Sequence, residues 1–424
     1  MKPRPVTWGA SRGVAPDPTR GLRPLDPHQG QGPWTQRNGV KGATAPLRVQ
    51  GRALALLSFC QPIVIAAGGT GGHFFPAEAL AEELLRRGRR VVLMTDARSG
   101  SLASGTFAEH FVLRGAGIAG RGAARAALAV VQLAIGTWQA RAILARLQPS
   151  VVVGFGGYPA VAPVLGARLL RRRPRLVLHE QNAVLGRANR MLARLADVLA
   201  LSHAGTARVP PGRHTVLTGN PVRPALAALS GGGTADAEQD EFRLLVLGGS
   251  LGARVFSDVV PAALASLPAA LRRRLLVTQQ CRTEDLDRVR AAYAGTGIAA
   301  ELAPFFADVA ARLAAAHLVV ARAGASTVAE LAVAGRPSVL VPLPGAIDDH
   351  QTANARALAR AGGAFVMPQP DFTAVALARR IGTLAASPAA LASAAQAAAA
   401  CGIADAAVRL ADLVEQTIAQ DSVP

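Results

Sequence analysis

The stretch PIVIAAGGTGGHFFPAEALAEELLRRGRRVVLMTD, residues 62–96, decides the fold. It opens with a short β-branched run, continues through four glycines at 68, 69, 71 and 72, and closes that loop with His73. Downstream, Ala77, Leu80, Ala81, Leu84 and Leu85 fall on one helical stripe, with Pro76 at the predicted start and Gly88 at the stop. RVVLMTD then reads as the next strand. Strand, loop, helix, strand is a βαβ unit.

The pattern returns about 180 residues later in FRLLVLGGSLGARVFSD, residues 242–258. Two such openings a domain length apart predict an α/β protein with two Rossmann-like parallel-sheet domains and a ligand cleft between them. TGNPVRP (218–224) and SGGGTADAEQDE (230–241) supply the turn-rich linker. The expected division is 1–58 as a disordered extension, 59–219 as the first domain, 220–241 as linker, 242–400 as the second domain, and 401–424 as a C-terminal helix and tail. SVVVGF, RLVLHE, LLVTQQ, HLVVAR and PSVLVP are further strands.

Composition limits the partners. The 424 residues are 50% hydrophobic and 17% charged, with a formal net charge of +19. A balance that basic implies a polyanionic neighbour, which composition leaves open among nucleic acid, an anionic membrane surface and a phosphorylated substrate. Lysine occurs only at Lys2 and Lys41, so the remaining cations are arginines. Cys60, Cys281 and Cys401 lack paired or metal-ligand spacing and read as buried bystanders in a reducing compartment. ALALLSFC (53–60) lacks a small residue for signal cleavage and reads as the lead-in to the first strand. No run reaches about 18 uncharged apolar residues, so no span is expected.

Several motifs carry chemistry. Glycines between a strand and a helix let backbone amides approach an anion, although a tight turn needs them equally. His73, at the C-terminal end of a parallel strand, is either a base facing the crevice or a helix cap. In RAGASTVAELAVAGRP (322–337) the amides near Ser326 and Thr327 offer a second anion site, and Thr327 with Glu330 has the spacing of a capping box. Asp348, Asp349 and His350 are consecutive, which suits a metal poorly, so Gln351 and Asn354 read as hydrogen-bonding groups for a polyol. HEQN (179–182) ends a strand in four polar residues and leans toward a site. RAALAVVQLAIGTW (125–138), flanked by Arg121, Arg125 and Arg141 and accompanied by Arg168, Arg171, Arg172, Arg173 and Arg175, reads either as a core helix or as an interfacial membrane patch. Nucleic acid is disfavoured, because no aromatic residues interleave the cations.

Taken in order, GGTGGH, GGYPAVAP, HEQN, GNPVR, LGGSLGAR, RAGASTVAEL and DHQTANA resemble the MurG family of bacterial cell-wall glycosyltransferases from about residue 61 to about residue 415. The resemblance implies a GT-B fold and transfer of N-acetylglucosamine from UDP-N-acetylglucosamine to the 4-hydroxyl of the muramyl sugar of undecaprenyl-linked lipid I. It implies inversion, no metal and no cofactor, with the enzyme peripheral at the cytoplasmic face of the cell membrane. It places Ser250, Arg223 and the amides of Ala325, Ser326 and Thr327 at the donor diphosphate, Glu330 at the ribose, Phe306 at the uracil, and Asn182 and Gln351 at the donor sugar. His73, with Thr70 and the amides of Gly71 and Gly72, belongs to the acceptor side. His73 is the first candidate base and Glu180 the second. QQCR (279–282) departs from the family's His-Gln-x-Gly, which leaves that segment without an assigned role. The rivals are another GT-B transferase, a UDP-sugar epimerase and a non-enzymatic basic binder of nucleic acid or membrane.

Overall fold

A computed structural model describes residues 61–69, 71–97, 106–113, 123–231, 241–249 and 252–420. Thr70, Ser250, Arg121, Cys60 and the extension 1–58 lie outside the described residues, as does the side chain of Arg125.

The first lobe runs β1 (Ile63–Ala66), α1 (Gly71–Arg86), β2 (Val91–Asp96), β3 (His110–Leu113), α2 (Ala123–Leu147), β4 (Val151–Gly154), α3 (Gly157–Arg168), β5 (Arg175–Glu180), α4 (Arg187–Leu192), β6 (Val198–Leu201) and β7 (Thr215–Leu217). A short α5 (Pro224–Ala227) leads into the second lobe. There follow β8 (Phe242–Leu247), α6 (Arg254–Ala265), α7 (Ala269–Arg274), β9 (Leu275–Gln280), α8 (Leu286–Tyr293), β10 (Ala299–Ala303), α9 (Val309–Ala315) and β11 (Leu318–Ala321). The chain continues through α10 (Ala325–Val333), β12 (Ser338–Leu340), α11 (His350–Arg360), β13 (Ala364–Val366), α12 (Ala374–Ala385), α13 (Pro388–Ala400) and α14 (Ala406–Ala419).

The sheets have the orders β3-β2-β1-β4-β5-β6-β7 and β10-β9-β8-β11-β12-β13, and their strands pair in parallel. Counted within each lobe, both begin 3-2-1-4, so direction reverses beside β1 and beside β8. The crevice at that reversal, past the C-terminal ends of the strands, is where an open parallel sheet receives ligands. Both glycine loops therefore emerge at a switch point.

Buried strands explain the apolar runs. Ile63 and Ile65 face α1 through Ala77, Leu80, Ala81 and Leu84, while Val64 faces Ala140 and Leu144 of α2 and Val161 and Val164 of α3. A parallel sheet covered on both faces needs apolar residues at every position, not at alternate ones. Leu85, expected on the buried stripe, is exposed at its edge.

Three local expectations change. Helix α1 starts at Gly71, not at Pro76, so proline lies inside its first turns. Helix α14 packs Leu410, Ala411, Leu413 and Val414 into the core of the first lobe, and Arg87, just past α1, pairs with Asp412 and Glu415 at 2.7 Å. The chain thus crosses back after the second lobe, so the segment 401–424, set apart in the sequence as a helix and tail, gains a partner lobe that the sequence left unassigned. Finally, residues 127–147 of α2 form a helix long and apolar enough to cross a membrane by length and composition. Its packing ties it to the lobe: a Cβ on Gly166 of α3 would stand 2.9 Å from the Arg141 nitrogen and 3.0 Å from the Thr137 carbonyl, so the two backbones touch.

Candidate active site

Proline inside α1 shapes the first loop. Pro76 has no N–H to give to the carbonyl four residues earlier, which is that of Gly72. That oxygen faces the other lobe, where Ser326 Oγ donates to it at 3.4 Å. The early helix start leaves the amides of Gly71 and Gly72 among the first four N–H groups, which have no partner within a helix.

His73 stands one position further on and is held by a chain of hydrogen bonds. The Gly219 carbonyl can only accept, so His179 Nε2, at 3.0 Å, carries the proton. His179 Nδ1 is then an acceptor, and Gln181 Nε2 donates to it at 3.1 Å and to the Phe155 carbonyl at 3.0 Å. This orients the Gln181 amide, and its Oε1 accepts from His73 Nδ1 at 3.0 Å. The remaining ring nitrogen, Nε2, keeps its lone pair. Burial pushes the His179 imidazole down to about 4, which keeps it neutral and the chain intact. Gly157, at φ 66°, makes room: a Cβ there would lie 3.3 Å from His73 Cδ2 and 3.5 Å from Nε2.

The end of β5 separates its side chains by parity. His179 and Gln181 serve His73 on one face. Glu180, also buried, turns the other way: Oε1 accepts from the Asn182 amide and Nδ2, each at 3.0 Å, and Oε2 accepts from the Gly186 amide at 2.8 Å and Asn189 Nδ2 at 2.9 Å. Four donors occupy both oxygens. In this arrangement the carboxylate braces the HEQN turn, while His73 Nε2 is left uncommitted.

In the second lobe α10 begins at Ala325 with Gly324 as its N-cap, and no side chain caps it. Thr327 and Glu330 therefore do not form the expected capping box, because both already lie inside the helix. Glu330 instead approaches Arg223 Nη2 at 3.9 Å, and burial raises its carboxyl to about 7 against the opposing pull of that guanidinium. Arg223 also lies 5.3 Å over the ring of Phe75, across the cleft. Ala325, Ser326, Thr327, Glu330 and Arg223 are thus brought together with Gly71, Gly72 and His73.

Other expected residues sit differently. The Phe306 ring is buried under the Arg312 guanidinium at 4.1 Å, while neighbouring Phe305 is 71% exposed. Gln351 Oε1 accepts from the Leu343 amide at 2.9 Å. Asn354 is fully buried and binds the lobes together: Oδ1 accepts from the Ala183 amide at 2.8 Å, and Nδ2 donates to Asn182 Oδ1 and the Ala323 carbonyl, each at 3.1 Å. Fully buried, with both amide protons and its oxygen engaged at the seam, it is not a polyol-binding group. Asp348, Asp349 and His350 diverge, to arginines, to Thr352 Oγ1 and to the Ile347 carbonyl. Cys281 is buried, but Cys401 is exposed.

The departing QQCR segment acquires a role. Gln280 Oε1 accepts from the Gly248 amide at 3.0 Å, and its Nε2 donates to the carbonyls of Gly249 and Pro304 at 3.2 and 3.1 Å. It fastens the glycine loop of the second lobe. Neither this nor the His179–Gln181 chain was named from sequence. For the chain, the available signal was the period-two alternation through HEQN.

The arrangement matches known proteins throughout the described core. Residues 63–200 match the glycosyltransferase family 28 N-terminal domain and residues 243–410 its C-terminal domain. Two proteins named UDP-N-acetylglucosamine–N-acetylmuramyl-(pentapeptide) pyrophosphoryl-undecaprenol N-acetylglucosamine transferase are similar. That of Granulibacter bethesdensis is 64% identical over 84% of this chain and 94% of its own length. That of Acidiphilium cryptum is 56% identical over 85% and 97%. The crystal structure of Acinetobacter baumannii MurG superposes with a TM-score of 0.70 at 31% identity, covering 84% of this chain and all of that one. A putative UDP-N-acetylglucosamine 2-epimerase from Listeria monocytogenes, at 15% identity and a TM-score of 0.59, shares the fold alone.

Proposed function

The chain belongs to the MurG family of glycosyltransferases, and from that premise we propose how its two lobes perform the reaction. It transfers N-acetylglucosamine from UDP-N-acetylglucosamine to undecaprenyl-pyrophosphoryl N-acetylmuramyl-pentapeptide, the step that makes lipid II.

In our reading the 4-hydroxyl of the muramyl sugar attacks the anomeric carbon of the donor. Its oxygen forms the new glycosidic bond, the bond from that carbon to the β-phosphate oxygen breaks, and UDP leaves with the electron pair. Attack opposite the leaving group inverts the anomeric centre. His73 Nε2 takes the hydroxyl proton, since Gln181 commits Nδ1 as the donor. The one observation that carries this is the hydrogen-bond chain from Gly219 through His179 and Gln181, which leaves a single ring nitrogen basic.

Charge developing on the diphosphate meets the first-turn amides of α10, where the aligned peptide dipoles amount to about half a positive charge, together with the Arg223 guanidinium. These groups supply the electrostatics that a metal would otherwise provide. Ser250 belongs with them, Thr70 with the acceptor-side loop, and Asn182 and Gln351 with the donor sugar. Glu330, beside Arg223, faces the ribose hydroxyls, and the Phe306 backbone faces the uracil. Labelled UDP-N-acetylglucosamine supplied with a lipid I analogue tests the reading: a labelled disaccharide supports it, and epimerised sugar without transfer would contradict it.

We further propose that the protein docks on the cytoplasmic face of the cell membrane through α2. Leu128, Val130, Val131, Ile135 and Trp138 are exposed on it, and Leu169 is exposed at the end of α3. Arg141 lies 5.3 Å over the Trp138 ring, and the exposed Arg171, Arg172 and Arg173 follow Leu169. An apolar face edged by guanidiniums suits an anionic bilayer surface, where the lipid-linked acceptor resides.

A further inference from the structure

Three arginines of the first lobe converge on one carboxylate of the second. Asp348 Oδ2 lies 2.7 Å from Arg190 Nη2 and 3.6 Å from Arg187 Nε, and Oδ1 lies 2.5 Å from Arg208 Nη1. One carboxylate offsets one of three positive charges. The Arg187 side chain remains 71% exposed, while that of Asp348 is 13% exposed. The cluster is built rather than accidental. Arg208 (φ 65°), Asp348 (φ 56°) and Asp349 (φ 52°) all hold left-handed backbone, which non-glycine residues adopt rarely. The Arg208 loop is strapped to the HEQN segment by Leu185 N to Ala207 O and Ala207 N to Ala183 O, at 2.9 and 2.8 Å. The cluster therefore bridges the two lobes, five residues along the chain from Asn182 and three from Gln351.

We propose that Arg187, Arg190 and Arg208 form a docking site for an anionic group of the lipid-linked acceptor, and that Asp348 holds this place until the acceptor displaces it. This rests on the transferase reading above. A guanidinium binds carboxylate and phosphate oxygens alike, in bidentate fashion. An acceptor bearing a pentapeptide and a pyrophosphoryl link carries both. The net excess of positive charge on the cluster favours such a group over a neutral one. Exchange of partners also loosens the interlobe ion pairs when acceptor arrives.

The test is steady-state transfer by the full chain, with separate KM values for donor and acceptor. The wild type is compared with Arg187→Gln/Arg208→Gln and with Asp348→Asn, and retained melting temperatures show that the variants fold. The double arginine variant should raise the acceptor KM by about tenfold to a hundredfold, since each charge-assisted contact is worth about tenfold or more, with the donor KM nearly unchanged. Asp348→Asn removes the competitor and should lower the acceptor KM. A purely structural latch would behave differently: both variants break the same ion pairs and would shift KM in the same direction, which would overturn the proposal. Acceptors with amidated peptide carboxylates, or with a monophosphate for the diphosphate, identify the anion as whichever change raises the wild-type KM. A response to neither would also overturn the proposal. Absence of any transfer by the wild type would overturn the underlying reading as well, so the two failures are distinguishable.

Discussion

Ser326 Oγ, in the first turn of α10, donates to the Gly72 carbonyl of the opposite lobe at 3.4 Å. The acceptor is available because Pro76 cannot satisfy it within α1. One proline in an otherwise ordinary helix thus leaves an oxygen where the starts of α1 and α10 meet.

In the proposed mechanism Gln181 is a positioning residue, acting on the reaction through His73. Gln181→Leu removes the acceptor that fixes the proton on Nδ1 and releases His179 as well. Turnover should fall by about tenfold to a hundredfold while UDP-N-acetylglucosamine affinity stays nearly the same. Transfer kinetics together with donor titration measure the two quantities separately.

The buried Glu330 carboxyl makes stability depend on pH. Its folded value of about 7 lies above its ordinary 4.5, so the fold favours the neutral acid. The unfolded chain ionises first as pH rises. Stability is therefore lost at up to about 1.4 kcal/mol per pH unit between about 4.5 and 7, and is level above that. Glu330→Gln should raise the melting temperature by several degrees at pH 8 and much less at pH 5, and it should weaken donor binding. Melting curves at the two pH values check the sign.

Asn354 holds the interlobe seam. Asn354→Ala would strand the buried Ala183 amide and the Asn182 side chain, at a cost of about 1–3 kcal/mol for each group left unsatisfied. Denaturant unfolding should show a lower midpoint, with turnover reduced through the displaced HEQN turn.

The α2 face predicts salt-sensitive lipid binding. Anionic liposomes should recruit the protein at low salt, and Trp138→Ser with Arg171, Arg172 and Arg173 changed to Gln should abolish recruitment. Equal sedimentation of variant and wild type with liposomes would remove α2 as the docking surface.

Much of the fold is readable along the chain because its signals are local. The β-branched runs, the glycines behind them and the apolar stripe of α1 all act within a few residues. What escaped depends on distant partners. His179 and Gln181 acquire meaning only when folding brings the carbonyls of Gly219 and Phe155 beside them. The start of α1 is hidden by Pro76, which normally marks a first turn. The return of α14 to the first lobe has no local cue, since its amphipathic stripe would suit either lobe. Asn354 and Glu330 show the converse: polar residues in a promising motif, one used up by the seam and the other freed from the cap that spacing suggested.

The most direct measurement is the transfer rate of His73→Ala at saturating donor and lipid I analogue, taken alongside UDP-N-acetylglucosamine affinity. The loss of one positioned base predicts a fall of about 10² to 10⁴ in turnover with donor affinity preserved. Turnover equal to that of the wild type would contradict the assignment of His73 Nε2 as the group that receives the acceptor proton.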